Sequence, residues 1–337
     1  MSIGPYIAAS CFLDRRQVKY RIGTECEPIQ SAPDKKEKQL FMFERFEVIR
    51  NAEMRQYTTL KLGGPADYLA FPRSAEEITA LFAEAGSAGI PVTVIGRGSN
   101  LLVLDGGIRG LVIRVEKNMR EIRREGNLLT AQAGAMLGTV AAAAAEAGLS
   151  GMEFAAGIPG TVGGGITMNA GAYGGELADV TLRVNGVMPD GTPVSLTREE
   201  MQFGYRTSAV KSRNLVVTEV IFELQPGNPE AIRSRMSELN AMRAEKQPLD
   251  VPSAGSTFKR PEGYFAAALI DQCGLKGYSV GEAQVSLKHA GFLVNNNGTS
   301  SSDYLTLMRK VQQIVLERAG VQLEPEVKVL GEETEEE

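Results

Sequence analysis

The 337-residue sequence contains no tryptophan, a single histidine (His289) and three cysteines (Cys11, Cys26 and Cys273). One histidine and scattered cysteines leave little for a zinc site. The cysteines form no CxxC pair and no disulfide framework, so a reducing cytoplasm is the simplest expectation. With no second histidine and no GxSxG, a serine–histidine hydrolase has little support. No run of 18 apolar residues could span a bilayer. The opening MSIGPYIAASCFLDRRQVKY lacks the basic n-region and longer apolar stretch of a signal peptide. Positive charge is also short, at 36 Lys and Arg against 41 Asp and Glu, a net −5. That disfavours a general nucleic-acid binder.

Glycine, by contrast, is abundant: 37 residues, and clustered. Around the clusters, helical and strand patterns alternate. AEEITALFAEAGSAG reads as a helix with Ile78, Leu81 and Phe82 inward, followed by the strand PVTVIG. GLVIRV is a further strand, and GTVAAAAAEAGL a helix closed by Gly148. An Asp-Gly turn joins the two halves of LRVNGVMPDGTPVSL as a hairpin, and NLVVTEVIFELQPG is a long strand. The pattern then changes at QPGNP, which places a boundary near 227. NPEAIRSRMSELNAMRAEKQP is a helix with Ile232, Met236, Leu239 and Met242 as its stripe. A last helix starts at Ser302 or Asp303 and turns Tyr304, Leu307, Met308, Val311, Ile314 and Val315 inward; VQLEPEVKVLG then reads as a final strand. The divisions expected are an extension of uncertain order (1–42), a first module (43–227), a second domain (228–319), a returning strand (320–331) and an acidic tail (332–337).

Two loops carry the strongest local signal. In VIGRGSNLLV a strand runs into Gly96-Arg97-Gly98-Ser99-Asn100-Leu101, where small residues let successive N–H groups face an anion. It is neither a Rossmann fingerprint nor a Walker A loop; the plain alternative is a strand–turn–strand link without a ligand. AAGIPGTVGGGITMNAGAYGGE holds eight glycines in 22 residues, interleaved with Ile158, Pro159, Val162, Ile166, Met168 and Tyr173. Rigid apolar residues among glycines point to a loop packed on a large flat ligand, or to a buried turn system with none.

Together, YTTLKLGGPADY, GRGSNLLV, GIPGTVGG, NAGAYGGE, FGYRTS, AGSTFKRP, KHAGFLVN and EPEVKVLG, in that order, resemble the UDP-N-acetylenolpyruvoylglucosamine reductase family over nearly all of the chain beyond residue 45. The short spacing from FGYRTS to AGSTFK, with Arg260 where the first type usually has Asn, is similar to the second type, which lacks an inserted substrate loop. Leu287, where the family often has Glu, and Gly165, where Ala is common, are departures outside the catalytic motifs. The resemblance implies an α+β fold: an FAD-binding module of the vanillyl-alcohol-oxidase (PCMH) type in two subdomains, plus a smaller α+β substrate-binding domain. It implies a flavoprotein oxidoreductase with noncovalent FAD and NADPH as co-substrate, reducing UDP-N-acetylglucosamine enolpyruvate to UDP-N-acetylmuramate. That step belongs to peptidoglycan synthesis and so bears on cell wall, shape and division. A cytoplasmic monomer is expected, with no nucleic-acid partner. The alternatives are another FAD-dependent oxidoreductase sharing the module, and a degenerate flavoprotein that only binds the nucleotide sugar.

By the same resemblance, Ser256 donates the final proton, Arg206 stabilises the substrate carboxylate, and Glu326 polarises the substrate. Taken alone, they read as a turn hydroxyl, a surface arginine and a strand glutamate. Cofactor contacts fall on Gly96, Arg97, Gly98, Ser99, Asn100 and Leu101, and on Gly157, Ile158, Pro159, Gly160, Gly163, Gly164, Asn169 and Gly171. Tyr205, Lys246, Lys259 and Arg260 would hold the diphosphate and uridine; the plain alternative for the cations is a solvated cluster. No metal is expected.

Overall fold

The computed structural model describes residues 42–334; Cys11, Cys26, nearly all of the 1–42 extension and the last three residues lie outside them. Three sheets of four or five strands, with three two-stranded pairings beside them, organise the described chain.

The first has the strand order Val48–Glu53, Pro65–Ala70, Ile108–Arg114, Val92–Ile95. Its central strand Ile108–Arg114 is parallel to both neighbours. A parallel strand between two partners is covered on both faces, which fits the burial of Gly110, Leu111, Val112 and Ile113 in succession. The helix Ala75–Ala88 begins at Ser74, whose hydroxyl accepts from the Glu77 N–H, and ends at Gly89 with φ +67. It buries Ile78, Leu81 and Ala85, while Phe82 is only half-buried.

The second sheet is antiparallel, ordered Pro193–Thr197, Thr181–Val187, Val216–Glu223, Leu128–Gln132, Ile122–Glu125. Its hairpin turns at Asp190-Gly191, with Gly191 at φ +86. The third sheet joins Ser253–Ser256, Phe292–Asn295, Ala283–Val285 and Ser279–Val280 in that order, and packs with the helices Ala266–Gln272 and Ser301–Ala319 into one apolar cluster. Tyr304 is fully buried at its centre and donates to the Leu293 carbonyl. The long helix is capped by Ser300, slightly earlier than its sequence suggests: the Ser300 hydroxyl takes the Asp303 N–H at 3.0 Å.

Two elements differ from their sequence reading. VQLEPEVKVLG is a strand only over Lys328–Leu330; Pro325, with no N–H to donate, leaves an isolated bridge to Phe258 before it. And Glu332, which opens the acidic tail, is not free: it pairs with Gly107, and Gly106 donates to its carbonyl. The strand Lys328–Leu330 runs parallel to Leu101–Val103. This brings the far end of the chain beside the first glycine loop.

Candidate active site

The two glycine loops meet at a cavity of about 930 Å³. Their contact tolerates no side chain. A Cβ on Gly96 would lie 2.4 Å from Thr161 Oγ1, and one on Gly98, at φ +74, would lie 2.5 Å from the Tyr57 carbonyl oxygen. The backbone N–H groups of residues 96–100 donate to no described residue. Asn100 is used structurally as well: its carbonyl accepts from Lys328 N–H and its Nδ2 donates to the Glu326 carbonyl. The second loop contains a short helix, Val162–Met168, in a stretch whose three consecutive glycines read as loop. Thr161 caps it by accepting from Gly164 N–H. Packing overrides weak propensity here, because Gly163 fits against Ala133 and Gly165 between Leu137 and Leu177.

Of the residues assigned to cofactor contact, Gly96 to Leu101, Ile158, Pro159, Gly160, Gly163, Gly164 and Gly171 line the cavity. Gly157 and Asn169 do not. Gly157 makes room for Asn240 and Arg243 of the helix Pro229–Lys246. Asn169 is buried, accepts from Ala178 N–H at 2.9 Å, and donates to the Gly204 carbonyl at 3.3 Å. It thereby ties the second loop to the turn that carries Arg206.

That turn is tight. Gly204 and Thr207 exchange both backbone hydrogen bonds, and Arg206 has φ +56. Gly or Asn usually fills such a left-handed position. An arginine held there costs about 1–2 kcal/mol of backbone strain. Arg206 Nε lies 2.8 Å from Glu326 Oε1, but this buried N–H has no aligned acceptor, so the pair is a charge contact rather than a formed hydrogen bond. Burial raises the Glu326 carboxyl above its ordinary value, and Arg206 only partly offsets this.

Ser256 ends its strand after a bulge: Gly255 sits at φ +77 and the register slips between Ser253 and Ser256. Bulges re-aim side chains. Ser256 lines the same cavity as Arg206 and Glu326, and its hydroxyl hydrogen-bonds no described residue. The strip after it is fixed alongside Glu326: the Thr257 carbonyl accepts from Glu326 N–H at 2.8 Å, and Lys259 N–H donates to the Glu324 carbonyl.

Lys246 lines the cavity, whereas Lys259, Arg260 and Tyr205 do not. Lys259 pairs with Glu324 at 2.8 Å. The Arg260 N–H donates to Tyr205 Oη. Lys211, Arg243 and Gln247 line the cavity from outside every motif, and Tyr173, His289 and Lys328 line it from within motifs that give them no role. The buried Arg243 Nε–H has no hydrogen-bond acceptor among the described residues, and burial lowers the guanidinium pKa, partly offset by Tyr173. The Lys211 ammonium is lowered by burial, then by Lys328 and Lys259. His289 is lowered by burial, and its Nδ1 accepts from Gly291 N–H.

Residues 247–330 match the model for the UDP-N-acetylenolpyruvoylglucosamine reductase C-terminal domain, and residues 66–197 that for an FAD binding domain. The UDP-N-acetylenolpyruvoylglucosamine reductase of Agathobacter rectalis is 51% identical over 85% of this chain and 94% of its own. The chain belongs to the UDP-N-acetylenolpyruvoylglucosamine reductase family. The reductase of Lactiplantibacillus plantarum is 48% identical over 87% of this chain and 97% of its own. The crystal structure of the Thermus caldophilus reductase superposes with a TM-score of 0.74, at 38% identity over 85% of this chain and 99% of that one.

The expected α+β class, with an FAD-binding domain and the reductase C-terminal domain, therefore holds. The cavity wall also fits FAD. The N–H groups of residues 96–100 have no acceptor among the described residues, as a diphosphate cradle requires. The cavity volume lies within the range of cofactor sites.

Proposed function

We propose that this chain is an FAD-dependent oxidoreductase that uses NADPH to reduce UDP-N-acetylglucosamine enolpyruvate to UDP-N-acetylmuramate, a step in making peptidoglycan precursors. The observation that carries this reading is the convergence of Ser256, Arg206 and Glu326 on the cavity whose other wall is the glycine cradle. FAD would supply the redox chemistry, accepting hydride from NADPH and delivering it to the β-carbon of the enolpyruvyl group. We propose noncovalent FAD, a reading supported by the absence of histidine and cysteine from both glycine loops.

The protein's own part is to position, polarise and protonate. Residues 96–101 and the Ile158–Gly164 stretch hold the cofactor, with Gly171 beside them. Arg206 offers a fixed fork to the substrate carboxylate, where charge accumulates once hydride has arrived. Glu326, biased towards its protonated form by burial, can donate a hydrogen bond where an ordinary carboxylate could only accept. Ser256, with its hydroxyl free, delivers the proton to the α-carbon, a strongly basic site at that stage. Lys246, Lys259, Arg260 and Tyr205 take the diphosphate and uridine end. Gly157 and Asn169 serve the cofactor at one remove, by positioning Arg243 and the Arg206 turn. A nucleotide-linked, carboxylated substrate belongs in the cytoplasm, and one chain holds every group named, so we propose a cytoplasmic monomer.

The test is a visible spectrum of the purified protein, followed by anaerobic stopped-flow mixing with NADPH and then with the enolpyruvyl substrate. A flavin spectrum that bleaches with NADPH and returns with the substrate is expected. A flavin that bleaches but is not reoxidised by the enolpyruvyl sugar would point to another flavin oxidoreductase.

A further inference from the structure

Residues 57–62 lie outside the cavity lining, yet they are bonded to both of its walls. The Thr59 N–H donates to the Gly98 carbonyl of the cradle loop at 3.3 Å. The Thr59 hydroxyl donates to the Ser253 carbonyl at 2.7 Å, across 194 residues of sequence. Ser253 opens the strand that Ser256 ends. Next to Thr59, the Leu60 carbonyl accepts from the buried Asn295 Nδ2 at 3.0 Å, and Asn295 belongs to the strand paired with Ser253–Ser256. The packing divides in the same way. Tyr57 packs on the apolar cluster of the first sheet, whereas Leu60 and Leu62 are buried in the cluster of the third. This short segment fastens the glycine cradle to the serine strand.

What the hydroxyl bond fixes is the bulge. Ser253 pairs with Val294 and Ser256 with Phe292, so three steps along one strand match two along the other. The extra residue is taken up between two anchors. Downstream, the Thr257 N–H donates to the Gly291 carbonyl at 2.9 Å. Upstream, the Ser253 carbonyl takes the Thr59 hydroxyl and the Pro252 carbonyl takes the Asn295 N–H at 3.0 Å. Between them, Gly255 at φ +77 has open space where a Cβ would stand, so no side packing pins the bulge. A slip of one residue turns a strand side chain to the opposite face. The aim of Ser256 therefore depends on the two ends staying in place, and at 2.7 Å the Thr59 bond has the length of a well-formed O–H···O contact. We propose that Thr59 is a positioning residue: its hydroxyl holds the bulged strand in the register that turns Ser256 into the cavity, and its N–H ties that strand to the cradle loop. This rests on the function proposed above and adds to it a residue that acts through Ser256.

Thr59→Val replaces the hydroxyl with a methyl group of similar size, and Thr59→Ser keeps the hydroxyl. Both are compared with wild type, as FAD-loaded protein, by anaerobic stopped-flow absorbance. Thr59→Val should keep its flavin and be reduced by NADPH at close to the wild-type rate. Its reoxidation by the enolpyruvyl substrate should slow about 10- to 100-fold, the scale of loss when a reacting group is displaced by about 1 Å. Thr59→Ser should be reoxidised at close to the wild-type rate. In a Ser256→Ala background, Thr59→Val should slow reoxidation no further, because the group it positions is already gone. Wild-type reoxidation in Thr59→Val overturns the proposal. A slowing that adds in full to that of Ser256→Ala overturns the route through Ser256. Thr59→Ala, which brings no new methyl against Ser253, should show the same split; loss of flavin or equal slowing of both steps in both variants makes Thr59 a general structural residue and overturns the proposal. Wild-type protein whose flavin is reduced by NADPH but not reoxidised by the enolpyruvyl substrate overturns the functional reading itself, and this inference with it.

Discussion

The cavity has two kinds of wall. On one side, the loops 96–101 and 157–165 act by what they lack: Gly96 and Gly98 leave no room for a Cβ, and the N–H groups of 96–100 have no acceptor among the described residues. On the other side, Arg206, Ser256 and Glu326 act through their side chains, and each sits on irregular or constrained backbone: a left-handed turn, a β-bulge, and a strip broken by Pro325. The cradle takes its shape from small residues concentrated in two short loops. A reactive strip needs residues from distant parts of the chain, and the fold meets that need with local strain.

The largest expected effect separates the two walls. Ser256→Ala should keep its full flavin content and be reduced by NADPH at close to the wild-type rate. Its reoxidation by substrate should slow roughly 10²–10⁴-fold, about 3–5 kcal/mol of barrier. Ser256→Cys should recover part of the rate. Stopped-flow absorbance reads both steps, and a defect mainly in the NADPH step would move the proton donor elsewhere, with Glu326 first in line.

Gly98→Ala should do the reverse and lose the flavin. The new methyl would meet the Tyr57 carbonyl oxygen at 2.5 Å, at φ +74. Overpacking and left-handed strain together cost about 2–5 kcal/mol. Flavin content after gel filtration and a melting curve check this; a variant that keeps its flavin and its melting point would mean the cradle is pliable.

Glu326→Gln sharpens the electrostatic side. Burial raises the Glu326 carboxyl above its ordinary value of 4.5. Folding therefore favours the protonated form. That stabilisation is fully present below the unfolded value and is lost as pH rises through the raised one. The variant should gain stability relative to wild type as pH climbs from 4 towards 8, as followed by melting temperature. A difference that does not change with pH would show that Arg206 compensates the charge fully.

The smallest effect is a control on glycine itself. A Cβ on Gly86, inside the helix Ala75–Ala88, would meet nothing within 4 Å. Gly86→Ala should stabilise by roughly 0.5–1 kcal/mol and leave flavin content alone. If it removed flavin, glycine content alone would not distinguish the cradle.

The cradle was legible because its constraint is local: clustered small residues after a β-branched strand can be read from the sequence itself. The reactive strip was not. Arg206, Ser256 and Glu326 each look ordinary alone, and only their family motifs singled them out. No periodicity announces a left-handed arginine or a contact closed across the fold. The helix Val162–Met168 is hidden in the sequence because three glycines argue against helix, whereas close packing requires them. The last strand is shorter than its β-like run suggests because Pro325 interrupts it. Sequence proximity cannot tell a residue that lines the cavity, such as Gly160, from one set behind its wall, such as Gly157 or Asn169.

Asn100 lies between the Glu326 carbonyl and the Lys328 N–H, where the strand Lys328–Leu330 joins Leu101–Val103. In a chain made from its N-terminus, Asn100 emerges 226 residues ahead of Glu326. Both glycine loops are therefore made well before the last of the three reactive side chains, and a chain halted between them carries the cradle without the carboxyl that faces it.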